Sequence, residues 1–422
     1  MSPLTMTEKL LSRAAQRPLR SGEIAICSPD LAMGTDGSVP MALDYLEAMR
    51  PGAGAPRFPR RLVFALDHYG AASGPGARAL QERARAYGTR HGIRVYQEGE
   101  GVGHQLILES CAVLPGTLAV GADSHAISYG AVNAFGTGIG SSDLAGVLLC
   151  GQVWLKVPEA VRVALTGALR PEVSAKDLAL ALARRMGADG ANYQALEFTG
   201  PGVAGLDLDD RIVLANMAVE LGAKAAIFPF DAVTEAWLRG RAAAGFTPAA
   251  ADPGAEYARA LDLDLGQVRP QVALPHRVDQ VVDADAVPYT PVDMVYLGTC
   301  TGGRVKDFRE ALEVLQAGGG KAPGVRLVVV PASAAVRAEL ERTGMLAALV
   351  ALGAELLPPG CALCCGTCGQ VPADGAVVVS TANRNFKGRM GNASASIYLA
   401  SPRGCAEAAV RGSLGLRPGA RP

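Results

Sequence analysis

This 422-residue sequence has no excess of charge of either sign, since forty Lys and Arg residues balance forty Asp and Glu residues. Without a net positive charge, the chain has no long-range field that would attract nucleic acid or an anionic membrane. Charged residues make up 19% of the chain and hydrophobic residues 49%, which is within the range of globular proteins. The composition therefore favours a protein that acts on small molecules.

Long apolar runs are also lacking. A membrane-spanning helix needs about 18 consecutive apolar residues, and the nearest approach, residues 144–157, is interrupted by Gln152 and Lys156. Residues 1–20 have the pattern of an amphipathic helix, without the unbroken apolar core of a signal peptide. We therefore expect a cytoplasmic protein.

Low-complexity tracts and short repeats are absent too, and what recurs is a short apolar strand, a polar turn and a helix. Strand 62–66 is followed by Asp67, strand 117–120 by Asp123, and strand 293–297 by Cys300. This alternation predicts mainly parallel sheets with helices on both faces. Because ligands of such sheets bind beyond the carboxyl ends of the strands, these polar turns are expected to share a site.

The length predicts more than one hydrophobic core. We divide the chain into three α/β domains at 1–157, 158–280 and 281–422, with Asn216 and Glu220 in the second. In the first, Ser141 or Ser142 is predicted to cap a helix that runs through Trp154.

Cysteine is concentrated in one place, because four of the nine residues lie between Cys361 and Cys368. In a reducing compartment such a group indicates metal binding or catalysis rather than disulfides. The isolated cysteines have apolar or small neighbours and are expected to be ordinary buried thiols. They are Cys27, Cys111, Cys150 and Cys405.

The spacing of Cys361 and Cys364 is C-x-x-C, and Cys300 follows a strand that can reach the same sheet edge. Spacing alone fits a redox dithiol, half of a zinc site or the ligands of an iron–sulfur cluster. Zinc would take a fourth ligand, which Cys365 or Cys368 could supply.

Many separate motifs, in a fixed order between about residues 6 and 402, resemble the aconitase family, in particular its large subunits of the 3-isopropylmalate dehydratase and homoaconitase type. The motifs are Asp67-His68, Gly103-His104-Gln105, 121–125 (GADSH), 154–158 (WLKVP), Asn216-Met217 with 220–223 (ELGA), 298–301 (GTCT), 359–364 (PGCALC) and 383–389 (NRNFKGR).

The resemblance implies the first three α/β/α domains of that family's fold, with its swivelling domain absent. It also implies that Cys300, Cys361 and Cys364 hold a 4Fe–4S cluster in which one iron lacks a protein ligand. An iron with an open position acts as a Lewis acid towards a substrate hydroxyl.

The same resemblance assigns the remaining site residues. Those implied in acid–base and relay roles are Asp67, His68, His104, Asp123, His125 and Glu220. Those implied in holding the substrate or the metal-bound water are Ser124, Asn216, Asn383, Arg384 and Arg389. The residues do not decide which histidine moves the proton.

Some positions depart from the family's pattern. Tyr69 follows the Asp-His pair where the family usually has Asn or Leu, Gly302 stands where Asn is common, and Thr35 precedes Asp36 where His is frequent. Cys365 and Cys368 are additional and are interpreted as bystanders. These changes spare the expected cluster ligands and bear on the substrate more than on the type of reaction.

The expected function is that of a large subunit that dehydrates and rehydrates a malate-type 2-hydroxy dicarboxylate, with 3-isopropylmalate as the leading substrate. A small subunit with the swivelling domain is the expected partner. Another substituted malate, or homocitrate, is the alternative. An RNA-binding relative is disfavoured by the zero net charge, and an electron carrier would use four cysteine ligands.

Overall fold

The first sheet is built from short strands of buried apolar residues, each followed by a polar turn. The computed structural model describes residues 2–70, 72–242 and 245–416. The elements up to residue 156 are α1 (Met6–Ala15), β1 (Ile24–Cys27), β2 (Leu31–Thr35), α2 (Ser38–Met49), β3 (Leu62–Ala65), α3 (Pro75–His91), β4 (Arg94–Tyr96), α4 (Gly103–Glu109), β5 (Leu118–Gly121), β6 (Phe135–Gly138), α5 (Ser141–Cys150) and β7 (Val153–Lys156). The order β4-β3-β2-β5-β6 is parallel throughout, as the alternating pattern predicts.

The second sheet is also parallel, with the order β10-β9-β8-β11. Its elements are β8 (Ala160–Thr166), α6 (Ala175–Met186), β9 (Ala195–Thr199), α7 (Leu208–Met217), β10 (Ala225–Ile227), α8 (Ala232–Leu238) and β11 (Arg259–Asp264). Helix α7 begins at a capping box formed by Asp207 and Asp210, and a 3₁₀ turn at Ala218–Leu221 follows it.

The third sheet has the order β13-β12-β19-β18-β15-β16-β17, and its five strands from β19 to β17 are parallel. The elements are β12 (Gln271–Ala273), β13 (Val281–Asp283), β14 (Thr290–Pro291), β15 (Met294–Leu297), α9 (Val305–Ala317), β16 (Arg326–Val329), α10 (Ala334–Arg342), α11 (Met345–Ala351), β17 (Ala354–Leu356), β18 (Val377–Ser380), β19 (Ser396–Ala400), α12 (Pro402–Arg411) and β20 (Ser413–Leu414). Strand β12 is antiparallel to both of its neighbours.

The three sheets share hydrophobic packing. One continuous buried cluster contains Met33 from β2, Val161 from β8 and Tyr296 from β15. The mainly parallel α/β architecture is the one predicted. The division of the chain at residues 157 and 280 stays a prediction.

The helix predicted to run through Trp154 is shorter than expected. Helix α5 ends at Cys150, because Gly151 takes a left-handed conformation with φ +75°, which glycine adopts at little cost. Its N-cap is Gly140, so neither predicted serine caps it. Residues 153–156 instead pair with β1 as an antiparallel strand. Cys150 is exposed rather than buried.

Within the described residues, no helix has the length and apolar character needed to cross a membrane.

Candidate active site

The carboxyl ends of strands from the first and third sheets face one small cavity of about 80 Å³. Most of the predicted site residues line it, namely Asp67, His68, His104, Asp123, His125, Cys300, Cys361, Cys364, Asn383, Arg384 and Arg389. The other three, Ser124, Asn216 and Glu220, each hydrogen-bond to residues of this set. The fold therefore brings together residues that are up to 322 positions apart in the sequence (67 to 389).

Asp123 lies at the centre of a histidine network. Its Oδ1 is 2.9 Å from Nε2 of His104 and accepts the backbone N–H of His125 at 2.8 Å. Its Oδ2 is 3.4 Å from Nε2 of His68. Burial alone would raise the pKa of Asp123, but these histidines outweigh it and hold the pKa well below its usual range. The carboxylate therefore stays ionised and can stabilise a proton on its histidine neighbours.

His68 is held on both sides by carboxylates, with Nδ1 2.7 Å from Oδ1 of Asp67. Burial opposes its protonation, but Asp67 and Asp123 outweigh burial and raise the pKa of His68 well above its usual value. The other oxygen of Asp67 accepts the backbone N–H of Gly103 at 2.7 Å. The pair is therefore fixed to the start of α4.

Sequence reasoning missed Asp36 as a support of this loop. It is fully buried and accepts the backbone N–H groups of His68 and Tyr69 at 3.3 and 3.0 Å. The side-chain amide of Gln81 donates to it at 3.1 Å. The sequence signal that could have identified Asp36 is its position directly after β2, which is similar to the position of Asp67 after β3.

Glu220 and Arg384 form an ion pair at the edge of the cavity. Nε of Arg384 donates to the two oxygens of Glu220 at 2.7 and 2.9 Å, and its Nη2 donates to Oγ of Ser124 at 2.9 Å. Oε1 of Glu220 is also 3.2 Å from Nε2 of His125. Asp123 and Glu220 outweigh burial and raise the pKa of His125.

The cysteines are surrounded by hydrogen-bond donors. The side-chain amides of Asn216 and Asn383 donate to Sγ of the buried Cys300 at 3.2 and 3.3 Å. Nη2 of Arg389 lies 3.6 Å from Sγ of Cys364, and its buried Nε has no hydrogen-bond partner among the described residues. Such donors stabilise anionic sulfur, as the ligands of a metal–sulfur centre require.

The geometry also bears on the zinc alternative. Among the described residues, the groups of three candidate ligands within 4.8 Å of one another are His104, Asp123 and His125, and Asp36, Asp67 and His68. Neither group contains a cysteine. Four thiols face the cavity, those of Cys300, Cys361, Cys364 and Cys365. No three of them lie within 4.8 Å of one another, and this spread fits a polynuclear cluster better than one tetrahedral ion.

Comparison with known proteins agrees with this geometry. The model of the aconitase family (aconitate hydratase) matches residues 8–412. The chain is 44% identical over 415 residues to the homoaconitase large subunit of Thermus thermophilus, covering 97% of this chain and 96% of that protein. It is 41% identical over 414 residues to 3-isopropylmalate dehydratase large subunit 1 of Thermotoga maritima, covering 97% and 98%.

A solved structure is similar as well. Aconitase X of Thermococcus kodakaraensis in its holo-form has a TM-score of 0.51 and 13% identity, over 85% of this chain and 84% of that chain. At this identity the similarity shows the fold alone, and it agrees with the predicted α/β architecture. The family match and the near full-length relatives confirm the resemblance found in the motifs. The chain belongs to the aconitase family of iron–sulfur hydro-lyases.

Proposed function

We propose that this chain is the large subunit of a cytoplasmic hydro-lyase that interconverts 3-isopropylmalate and 2-isopropylmalate through dehydration and rehydration. The observation that carries the proposal is that the histidine–carboxylate network around Asp123 and the three thiols line the same cavity. The name of the Thermotoga maritima relative supports the substrate.

Cys300, Cys361 and Cys364 would hold a 4Fe–4S cluster in which one iron has no protein ligand. Bound there, the cluster would supply a Lewis acid that polarises the substrate hydroxyl. Asn216, Asn383 and Arg389 direct N–H groups at two of the three sulfurs. The donor set therefore fits the group that the family implies.

The histidine network would handle the proton of the departing hydroxyl. A general acid must hold its proton at working pH and lie within reach of the leaving group. His68 meets the first condition, because Asp67 and Asp123 keep its pKa well above its usual value. In this proposal His68 donates the proton, while Asp123 orients His104 and stabilises positive charge on His125.

The arginines would recognise the substrate carboxylates, since a guanidinium can bind a carboxylate with two parallel hydrogen bonds. Arg389 carries a buried Nε that has no hydrogen-bond partner in the described part of the chain. Arg384 is positioned by Glu220 and Ser124. Glu220 and Asn216 would hold the water that leaves and returns.

A second substrate is homocitrate, with homoaconitate as its dehydrated product. It is favoured by the Thermus thermophilus relative, which is named a homoaconitase large subunit. The histidine network and the thiols would serve both substrates, since both are 2-hydroxy acids that lose water from adjacent carbons. The two substrates differ in the group beyond the reacting carbons.

Both relatives are named large subunits. We propose that the partner is a small subunit with the swivelling domain, which adds the base and further substrate contacts.

The test is reconstitution of the anaerobically purified chain with iron and sulfide, followed by EPR after mild oxidation. A 3Fe–4S signal that returns to the four-iron form on addition of iron is expected. Either substrate should then perturb the EPR signal of the reduced four-iron cluster. The Cys300→Ser variant should lose the signal, whereas Cys150→Ser, at an exposed thiol outside the cavity, should keep it.

Failure of the wild-type chain to form a cluster, or binding of zinc at the same cysteines, would contradict the proposal. The substrate is decided separately, by kcat/KM for 3-isopropylmalate and for homocitrate in the complex with the small subunit.

A further inference from the structure

Lys176 is in an unfavourable place for a positive charge. It is the second residue of α6, whose N-cap is Ser174, and a cation near a helix N-terminus opposes the helix dipole. The residue is also only 1% exposed, and burial of a charge costs free energy unless the charge is compensated. No ion pair among the described residues joins Nζ of Lys176 to a carboxylate oxygen within 4.0 Å. The cation therefore needs another source of stabilisation.

The ammonium is compensated by oxygen and sulfur atoms of three other segments. Nζ donates to the backbone oxygens of Ala382 at 2.5 Å and Thr381 at 3.0 Å. It also lies 3.5 Å from Oγ1 of Thr301 and 3.7 Å from Sδ of Met217.

Three of these four partners are adjacent in sequence either to Cys300 or to a residue that donates a hydrogen bond to its sulfur. Thr301 follows Cys300, Met217 follows Asn216, and Ala382 precedes Asn383. Asn216 and Asn383 are the residues whose amides donate to Sγ of Cys300. Lys176 thus contacts each segment that forms the hydrogen-bonded surroundings of this sulfur.

We propose that Lys176 is a positioning residue whose buried charge balances the anionic thiolate side of the cluster at Cys300, and that it thereby sets how firmly the cluster is held and its reduction potential. The inference rests on the proposed function, since it takes Cys300, Cys361 and Cys364 as the cluster ligands. A cluster with three thiolates carries net negative charge, and a nearby buried cation stabilises its reduced form most. Burial lowers the pKa of Lys176 only to about 8, so the charge persists at neutral pH.

The variants Lys176→Met and Lys176→Gln separate charge from hydrogen bonding, because Gln keeps a donor and neither side chain carries charge. Lys224→Met is the control, since Lys224 is a partly buried lysine whose ammonium donates to the backbone oxygen of Gly138 at 2.7 Å. Gly138 is not one of the described residues that donate to Sγ of Cys300.

The readouts are iron retention against a chelator and the reduction potential of the cluster from an EPR-monitored redox titration. Both Lys176 variants should lose iron about 10-fold faster or more, by analogy with other supports of metal ligands, and both potentials should become more negative. Lys224→Met should match the wild-type protein. If Lys176→Met fails to fold by circular dichroism, Lys176→Gln carries the test.

Wild-type potential and iron retention in a folded Lys176→Gln variant would overturn the inference and leave the proposed function intact. Failure of the wild-type chain to form any cluster would contradict the proposed function instead.

Discussion

Asp123 shows how one carboxylate can organise a proton network. It contacts His68, His104 and His125 within 3.4 Å. Burial alone would raise its pKa, but these histidines outweigh burial and hold the pKa well below its usual range. Replacing this carboxylate with a neutral group should therefore weaken its contacts with all three imidazole rings at once.

In the complex with its small subunit, Asp123→Asn should lower kcat by about 100-fold or more, the usual contribution of a positioned acid or base. The cluster should remain, because the hydrogen bonds of the Asp123 carboxylate among the described residues go to histidines and not to a cysteine. The measurement is steady-state dehydration together with the EPR spectrum. A variant with wild-type kcat would show that the network has no role in proton transfer, and loss of the cluster would assign Asp123 a structural role.

A carboxyl group that does not line the candidate active-site cavity gives a prediction about pH. Burial, and then the neighbouring Asp307, raise the pKa of Glu310 on α9 from 4.5 to about 7. Between these two values the folded chain binds a proton that the unfolded chain has released, so stability falls as pH rises through this window. Glu310→Gln removes the ionisation and should raise the melting temperature near pH 8, but much less near pH 5.

An increase of about 2 °C or more is expected near pH 8, since ~1 kcal/mol shifts the melting temperature of a large domain by about 2–4 °C. Glu313→Gln is the control, because Glu313 is exposed on the same helix. Equal increases at both pH values, or an equal effect of Glu313→Gln, would contradict the explanation.

At the scale of elements, the loop after β15 packs tightly against the end of β18. A Cβ added at Gly302 would lie 2.3 Å from Cβ of Thr381. Thr381 cannot easily move, because its Oγ1 accepts the N–H of Gly298 at 3.0 Å and donates to the oxygen of Gly298 at 2.9 Å. This contact leaves no room for a side chain on the residue that follows Thr301.

Gly302→Ala should therefore displace the loop that carries Cys300 and destabilise the chain by about 1–3 kcal/mol, the usual cost of overpacking. Loss of reconstituted iron should accompany the loss of stability. Gly146→Ala, at a helical position with open space around it, is the control and should be neutral or stabilising. Full iron loading in Gly302→Ala would show that the loop tolerates the added atom.

The elements also show what sequence patterns could predict. Helix α10 begins after Ser333, whose Oγ accepts the N–H of Val336 as its cap, and serine is among the residue types that favour this position. Strands β12 and β13 have little sequence signal, because each has only three residues. In addition, β12 pairs with β19, whose partner residues lie 126 and 128 positions further along the chain. The pattern predicts a helix through Trp154 instead of strand β7, because apolar residues resume directly after Gly151 and Gln152.

At the scale of the whole molecule, the site residues that belong to recognisable motifs could be predicted from the sequence. The residues that hold these site residues in place were not predicted. Cys300 and Arg389 stand in recognisable patterns at the ends of strands. Lys176 acts through contacts with backbone groups of distant segments, and such contacts leave no pattern in the sequence around it. Asp36 also acts through backbone groups, and its one sequence signal is its place directly after β2. The domain division and the roles of the site residues therefore remain predictions for experiment.

The last prediction concerns the assembly. The cavity of about 80 Å³ is lined by histidines, carboxylates, thiols, Asn383 and arginines of this chain, and the relatives that it matches over nearly their whole length are named large subunits. If the base and part of the substrate pocket belong to a small subunit, the chain alone should bind the cluster but turn over substrate at less than about 1% of the rate of the complex, since a missing base costs about 100-fold or more. Titration of the reconstituted chain with its small subunit should restore activity and saturate at a fixed ratio. Strong turnover by the rigorously purified single chain would show that every catalytic group lies on this subunit.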